Sequence, residues 1–351
     1  MSDKLKRARK RGIVIGSLPT GERNKITDVH GVSVGHMTVQ QGDINTGVTA
    51  ILPHQGNVFI EKVIAASHVL NGFGKTMGTI QINELGTIET PILMTNTLSV
   101  GSGANGLIKY TLKNNPEIGR TTGTVNPIVT ECNDMYLNDI RSMAITEEDV
   151  FTAIANAQLD FEEGAVGAGT GMKCFGLKGG IGSASRLIDI EGEGFTFGVL
   201  VLSNFGHLND LVINGKKVGR SIAELELDIT TEKDKGSIIV IVATDMPVTS
   251  RQLERIIKRC GVGLSRTGSK MGHNSGDIVI GFSTGNKVFH QPSSKKHQLT
   301  YFHEDEIDNA FQAVAEATEE AIINSMLTAK TTVGRDGNTL YSLTEYIDKI
   351  K

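Results

Sequence analysis

The chain of 351 residues contains no tryptophan, and aromatic residues make up only 5% of it. Scarce aromatics weigh against a surface that stacks nucleic-acid bases. The formal net charge of -4 at pH 7 gives no basic excess of the kind that binds nucleic acid. No stretch of 18 apolar residues occurs, so we expect no transmembrane helix and no membrane partner. The length suits one large domain or two ordinary ones.

Cysteine is also scarce. Cys132, Cys174 and Cys260 are an odd number at wide spacings, which is neither a disulfide framework nor a zinc-binding pattern. The nine histidines form no H-x-x-x-H pair. We therefore expect buried thiols in a reducing cytoplasm and no metal site.

Two segments are predicted to lie on the surface. Residues 1–12 carry six basic side chains, and no apolar segment follows them, so they are not a secretory signal. They are predicted to form a solvated arm. The polar stretch 225–235 is predicted to be a surface excursion.

Glycine is abundant: 41 of the 351 residues are glycine, roughly one in nine, against about 7% in an average chain. Gly101–Gly106 fits the G-x-G-x-x-G pattern of a dinucleotide-binding loop, although no acidic residue follows about 20 positions later. A second dense run, Gly164–Gly182, lacks the G-x-x-x-x-G-K pattern of a phosphate loop. Tight packing of backbone is the favoured use of the second run.

The apolar pattern predicts strands alternating with amphipathic helices. Continuous apolar runs predict strands buried on both faces at 47–52, 90–94, 195–202 and 237–243. Thr249 and Gln252 form a capping-box pattern before an apolar stripe that continues to Leu264. Further helices are predicted at 147–156 and 305–327. Together they predict a layered α/β protein.

The tetrapeptide Asn274-Ser275-Gly276-Asp277 precedes the apolar run 278–282. All four residue types are common in turns, so these residues alone favour a turn before a buried strand. A second interpretation is a scissile bond, whose cleavage would make Ser275 a new N-terminus and a nucleophile. No G-x-S-x-G sequence supports a Ser-His-Asp triad, although the sequence does not exclude one.

Two further places carry candidate polar side chains. Residues 129–140 hold a compact set of Glu131, Asn133, Asp134, Asn138 and Asp139, which would cap turns or supply an acid that orients a substrate amine. Asn204 follows a buried strand. Its amide would serve a turn or donate to an oxyanion.

Taken in chain order, eight segments resemble the family of L-aminopeptidase/D-Ala-esterase-amidases, which includes the β-aminopeptidases. The resemblance covers nearly the whole chain. The segments are GSLPTGERNKITDVHGVSVGH (16–36), INTGVTAILP (44–53), VTECNDMYLNDI (129–140), GAGTGMKCFGLKGGIGSASR (167–186), VLVLSNFG (199–206), GSIIVIVATDMP (236–247), GLSRTGSKMGHNSGD (263–277) and ATEEAIINSM (317–326).

This resemblance implies a fold and an activity. The fold would be a four-layer αββα sandwich, similar to N-terminal-nucleophile hydrolases but with different connectivity, and shared with ornithine acetyltransferases. A single domain of residues 1–351 would cleave itself between Asn274 and Ser275 into an α subunit, 1–274, and a β subunit, 275–351. Family members form tetramers of αβ units and use no cofactor. They release N-terminal residues from small peptides, amides and esters.

The resemblance also implies roles for individual residues. Ser275 would be the nucleophile, and its own α-amine, with an unperturbed pKa of about 7.7–8.0, the base. Asn204 is the candidate oxyanion donor and Glu131 the site acid. The family's serine-x-glutamate pair falls on Thr318 and Glu320, whereas a shift of one residue would give Ala317 and Glu319 and lose the hydroxyl. Some members have a tyrosine near the site; position 133 is Asn in this sequence, and Tyr136 lies three residues on.

Three alternatives remain open at this point. An acyltransferase on the same scaffold would use the same acyl-enzyme and pass the acyl group to an amine. A dinucleotide-binding protein would use Gly101–Gly106. A relative without catalytic activity would keep only the fold.

Overall fold

The computed structural model describes residues 5–225 and 236–350. Apart from Leu225, the predicted surface excursion 225–235 therefore lies outside the described residues. The strands are β1 (Ser33–Gln41), β2 (Ile44–Leu52), β3 (Glu61–Gly72), β4 (Thr87–Ile88), β5 (Ile92–Asn96), β6 (Ile128–Cys132), β7 (Lys173–Cys174), β8 (Leu177–Lys178), β9 (Gly180–Ile190), β10 (Glu193–Asn204), β11 (Ser237–Thr244), β12 (Gly276–Phe289), β13 (Thr332–Val333) and β14 (Thr339–Leu340). The α-helices are α1 (Thr79–Leu85), α2 (Val100–Asn114), α3 (Glu147–Ala155), α4 (Val218–Leu225), α5 (Ser250–Ile257), α6 (Cys260–Arg266) and α7 (Asp308–Leu327).

Two large sheets organise these strands. One has six strands in the order β4-β3-β12-β11-β10-β9, and the other has four in the order β1-β2-β5-β6. The pairs β11–β12 and β5–β6 are parallel, and the other pairs in both sheets are antiparallel. The four predicted strands are confirmed as β2, β5, β10 and β11, and every residue of β5 and β11 is buried.

Three apolar cores separate four layers. The first lies between the sheets, where Ile51 and Met94 meet Leu200 and Ile241. The second lies between the six-stranded sheet and helices α5, α6 and α7. The third lies between the four-stranded sheet and helices α2 and α3. The predicted αββα sandwich is therefore confirmed, because each sheet buries both of its faces.

The predicted capping box is present, but the helix it begins is shorter than expected. The Thr249 hydroxyl accepts a hydrogen bond from the Gln252 N–H at 3.2 Å. The helix ends at Ile257 because the chain turns at Lys258 and Arg259, and α6 then carries Cys260 and Leu264. The apolar stripe is nevertheless buried along its whole length.

The dinucleotide-binding interpretation of Gly101–Gly106 is wrong. All six residues lie inside α2, so their backbone does not form a phosphate-binding loop. A methyl group added at Gly106 would lie 2.7 Å from Val150 Cβ, and one at Gly103 would lie 3.2 Å from a methyl group of Val129. These glycines let α2 approach α3 and the four-stranded sheet closely.

The prediction of a solvated N-terminal arm is also wrong for the described residues from 5 onward. Arg7 donates to the carbonyl oxygens of Arg23 at 2.8 Å and Ser183 at 2.6 Å. Ala8 is fully buried, and its N–H donates to Asn324 Oδ1 at 2.9 Å. Arg7 and Ala8 therefore fasten this segment to β9 and α7 through partners far away in sequence.

A buried arginine joins α7 to the six-stranded sheet. Arg186 on β9 is fully buried, and its guanidinium contacts Glu316 at 3.0 Å and Glu320 at 2.7 Å. Arg9 and Asn24 also donate to Glu320. Removing one partner from a buried ion network leaves the other charges without compensation, and this is strongly destabilising.

We expect Arg186→Met to lower the free energy of unfolding by about 3 kcal/mol or more, because Glu316 and Glu320 would stay buried without their main counterion. Urea denaturation measures the change. Arg251→Ala is the matched control, because the Arg251 side chain is 64% exposed in its ion pair with Glu304. An equal midpoint for the two variants would contradict the prediction.

Within residues 5–225 and 236–350, no helix is long and apolar enough to cross a membrane.

Candidate active site

Four strand ends meet at one edge of the six-stranded sheet. Asn204 at the end of β10 pairs with Ser237 at the start of β11. Ser237 pairs with Gly276 at the start of β12, and Gly276 pairs with Gly72 at the end of β3. Neighbouring strands lie about 4.8 Å apart, so Asn204 is about 10 Å from Gly276 across the sheet.

Ser275 follows a tight turn at this edge. Its N–H donates to Gly272 O at 2.9 Å, so His273 and Asn274 are the central residues of a four-residue turn. The predicted turn before a buried strand is therefore confirmed. Asn274 is exposed, whereas Ser275 is only 2% exposed, so the peptide bond between them marks a boundary between solvent and interior.

Asp277 is the hydrogen-bond acceptor of the Ser275 hydroxyl. The Ser275 Oγ–H donates to Asp277 Oδ1 at 2.6 Å, and Asp277 is fully buried. The sequence analysis missed this residue. Side chains two positions apart point to the same face of an extended chain, and this alternation was the available signal.

Asn71 and Phe73 hold the backbone on both sides of the Asn274–Ser275 bond. The Asn71 amide nitrogen donates to Gly272 O at 3.0 Å, to His273 O at 3.3 Å and to Ser275 O. The Phe73 N–H also donates to Ser275 O, at 3.2 Å. The turn is thereby fixed against the end of β3.

Glu131 lies on the other sheet but reaches the same segment. It is 2% exposed near the end of β6, and its Oε1 accepts from the Lys75 N–H at 2.9 Å. Its Oε2 accepts from the Thr97 hydroxyl. Because Phe73 contacts Ser275 and Lys75 contacts Glu131, the carboxylate lies on the Ser275 side of the space between the sheets.

The other polar residues near Glu131 serve the loop that follows β6. Asn133 Oδ1 accepts from the Met135 N–H at 3.0 Å, and Asp134 Oδ1 accepts from Asn138 Nδ2 at 3.0 Å. Burial raises the pKa of Asp134 to about 7, against the effect of its hydrogen bonds with Thr46 and Asn138. Tyr136 packs its ring 4.6 Å from Lys173 Nζ.

The Asn204 side chain bridges two segments instead of capping a turn. Its Oδ1 accepts from the Lys173 N–H at 2.8 Å, and its Nδ2 donates to Asn133 O at 3.0 Å. An Asn amide nitrogen carries two hydrogens, and this bond uses one of them. The two contacts fix the orientation of the amide at the edge where Ser275 lies.

A buried lysine orders the glycine-rich loop that holds Asn204. Lys178 Nζ donates to the carbonyl oxygens of Gly169 at 2.9 Å, Met172 at 3.0 Å and Gly179 at 2.7 Å. The residue is fully buried, and this burial lowers its pKa to about 7. Backbone packing is thus the use of this glycine run, as expected.

Thr318 and Glu320 have packing and ion-pair partners on neighbouring elements, and their catalytic role stays a prediction. The Thr318 hydroxyl donates to Val314 O at 2.6 Å, and its Cβ faces Gly263 on α6. Glu320 contacts Arg186, which pairs with Phe197, seven residues before Asn204 on β10. The Ser325 hydroxyl, five residues after Glu320 on α7, lies 2.5 Å from the hydroxyl of Ser203, which precedes Asn204.

No group of three or more His, Cys, Asp or Glu residues suited to a metal ion occurs among the described residues. Cys132, Cys174 and Cys260 are buried thiols that form no disulfide bond, as expected.

Comparison with known proteins identifies the family. The model of peptidase family S58 matches residues 24–340. The chain belongs to peptidase family S58. It is 35% identical over 359 aligned positions to the β-peptidyl aminopeptidase BapA of Sphingosinicella microcystinivorans. The alignment covers 96% of this chain and 89% of that protein.

Two solved structures show the same fold. A protein from Pyrococcus horikoshii OT3 has 51% identity and a TM-score of 0.94, with 98% of both chains covered. The L-aminopeptidase D-Ala-esterase/amidase of Ochrobactrum anthropi has 34% identity and a TM-score of 0.91, covering 98% of this chain and 97% of its own. The latter is described as a new variant of the N-terminal-nucleophile hydrolase fold. This S58 peptidase therefore has the fold that the sequence implied.

Lys178 predicts a pH dependence of stability. Below about pH 7 the Lys178 side chain is charged in both the folded and the unfolded chain. The desolvation of this charge then lowers the stability of the folded state to its full extent. Between about 7 and the ordinary value of 10.5, only the unfolded chain holds the proton, so stability rises with pH. We expect Lys178→Met to remove this rise, measured as the difference between wild-type and variant urea midpoints from pH 7 to 10. A constant difference would contradict the prediction.

Proposed function

We propose that this S58 peptidase is a self-processing aminopeptidase with Ser275 as its nucleophile. The observation that carries the proposal is the buried Ser275 at the start of β12, directly behind the exposed turn residue Asn274. Cleavage at this bond would leave Ser275 as an N-terminus already seated in the sheet. The pieces 1–274 and 275–351 would stay together, because β12 pairs with β11 and β3 along most of its length.

Cleavage would also supply the base for turnover. A serine hydroxyl is a weak nucleophile and needs a base within hydrogen-bond reach. A free α-amine has an unperturbed pKa of about 7.7–8.0, so it is partly neutral at cellular pH. It would take the proton from the hydroxyl of its own residue as Ser275 Oγ attacks a substrate carbonyl. Water would then hydrolyse the acyl-enzyme.

Asn204 and Glu131 are the residues proposed to stabilise and orient the substrate. The bridging contacts of Asn204 pre-orient an amide that would donate to the oxyanion. Glu131 would pair with the free amino group of the substrate, since its carboxylate lies near the segment that contacts Ser275. An enzyme that requires a free N-terminal amine acts as an aminopeptidase.

The relatives support this substrate class. Their names describe a β-peptidyl aminopeptidase and an L-aminopeptidase with D-Ala-esterase and amidase activity. We propose small peptides, amides and esters with a free amine as substrates, and no cofactor. The buried cysteine thiols, which form no disulfide bond, suit a reducing compartment such as the cytoplasm.

We also propose a homotetramer of αβ units. Exposed apolar side chains on α1 support an interface, since Ile80 is 87% and Leu85 is 65% exposed.

The cleavage proposal is tested on a denaturing gel. Wild-type protein should give two bands of about 29 and 8 kDa, obtained by dividing the 37.6 kDa of the chain in proportion to residue number. Ser275→Ala should give one uncleaved, inactive chain because it removes the attacking hydroxyl. N-terminal sequencing of the small band should begin at Ser275. A cleaved Ser275→Ala protein would sink the proposal.

The role of Glu131 is tested by substrate comparison. Glu131→Gln should lower kcat/KM for an amino-acid amide about 10- to 100-fold, because a hydrogen bond to a charged group contributes about 1.5–3 kcal/mol. Hydrolysis of the matched ester without the amino group should change little. Processing into two bands should continue, because the precursor has no substrate amine to recognise. An equal loss on both substrates would argue against amine recognition.

A further inference from the structure

We propose that Asp277 is the general base for cleavage of the Asn274–Ser275 bond and that the α-amine of Ser275 replaces it once the bond is broken. This inference rests on the self-cleavage proposed above. It assigns the first reaction of Ser275 and the later turnover to two different bases.

The uncleaved chain lacks the base on which turnover would depend. The nitrogen of Ser275 is part of a peptide bond, where its lone pair is delocalised into the carbonyl group. It acts as a donor, with its N–H directed at Gly272 O at 2.9 Å. The attacking hydroxyl therefore needs another proton acceptor for the first cleavage.

Asp277 is placed to be that acceptor. Its Oδ1 lies 2.6 Å from Ser275 Oγ, within the range of a hydroxyl donating to a carboxylate. Both residues are buried, so this charge-assisted bond is shielded from water. Because β12 begins at Gly276, strand geometry holds the carboxylate beside the hydroxyl.

The surrounding hydrogen bonds restrain the turn, but their acceptors do not include the carbonyl group that would react. Asn71 donates to the carbonyl oxygens of Gly272, His273 and Ser275, which flank the Asn274–Ser275 bond on both sides. The carbonyl group of Asn274, whose carbon would be attacked, is not one of these acceptors. The clamp thus fixes the chain around the bond without occupying the oxygen that must become an oxyanion.

The proposed step balances as follows. Ser275 Oγ forms a bond to the carbonyl carbon of Asn274, and its proton moves to Asp277. The bond between that carbon and the Ser275 nitrogen breaks, and the nitrogen takes the proton from Asp277 to become an amine. Water then adds to the resulting ester, and Oγ leaves with a proton. The products are the Asn274 carboxylic acid group, which ionises, and a free Ser275.

The test is a time course of processing in the full-length Asp277→Asn variant. Asparagine keeps the size of aspartate and an oxygen that accepts the serine hydroxyl, but it does not take up the proton. General-base catalysis typically contributes about 10²- to 10⁴-fold, so the variant should accumulate as one chain and convert to two bands at least about 100-fold more slowly. The turnover number per cleaved molecule should fall far less than the processing rate, because the amine is then the base.

Two further variants separate chemistry from folding. Asp277→Glu keeps a carboxylate on a longer side chain and should process faster than Asp277→Asn. Asp245→Asn is the control for removing an acid from the same sheet, because Asp245 follows the opposite end of β11 and accepts from the Thr196 N–H at 2.7 Å. It should process at the wild-type rate. Thermal unfolding of all three checks that slow processing does not follow from lost stability.

Each outcome decides the inference. Processing of Asp277→Asn at the wild-type rate, equal rates for the Asn and Glu variants, or a fall in turnover equal to the fall in processing would overturn it. If the wild-type chain is cleaved between Asn274 and Ser275 and Ser275→Ala is not cleaved, any of these three results overturns only the role of Asp277. If wild type does not cleave, the proposed self-processing fails together with it.

Discussion

The parallel pairing of β11 with β12 is the constraint on which the candidate site depends. Two parallel neighbours need a crossover connection, because the chain must return to the edge where the first strand began. Helices α5 and α6 provide it, and they cover the outer face of the six-stranded sheet on the way. The crossover delivers the turn before Ser275 to the edge that already holds Asn204 and Gly72.

Buried charges hold the two sides of this arrangement in place. Lys178 replaces water around three carbonyl oxygens of the glycine-rich loop, and that loop supplies the Lys173 N–H that orients Asn204. Arg186 binds α7 to β9 on the face of the six-stranded sheet that the helices cover. Both groups are expensive to bury, so each is fully engaged by fixed partners.

The sequence predicted the buried strands well because burial on both faces leaves a direct trace in composition, whereas the four layers came from the family resemblance. The runs that became β5 and β11 are apolar at nearly every position, and Thr249 with Gln252 identified a helix start. Contacts between distant segments left no such trace. Arg7 appeared to be one charge in a basic arm, although its partner Ser183 lies 176 positions away.

Thr318 and Glu320 contact different neighbours for a geometric reason. Residues two apart on a helix point about 200° away from each other, so they do not face one site. Thr318 accordingly faces α6 and Glu320 faces β9. The same spacing has the opposite consequence in a strand, where Ser275 and Asp277 share a face. A motif with a two-residue spacing therefore places its groups together only when the backbone is extended.

A self-activating serine would be better placed at the start of a strand than at the start of a helix. An extended chain brings the carboxylate of the second following residue beside the hydroxyl while the serine nitrogen is still in a peptide bond. Pairing with β11 and β3 continues from Gly276 onward and does not require the bond before Ser275. Breaking that bond would release the exposed Asn274 side of the turn and leave the hydroxyl where the sheet holds it. The proposed site would therefore change its base without moving its nucleophile.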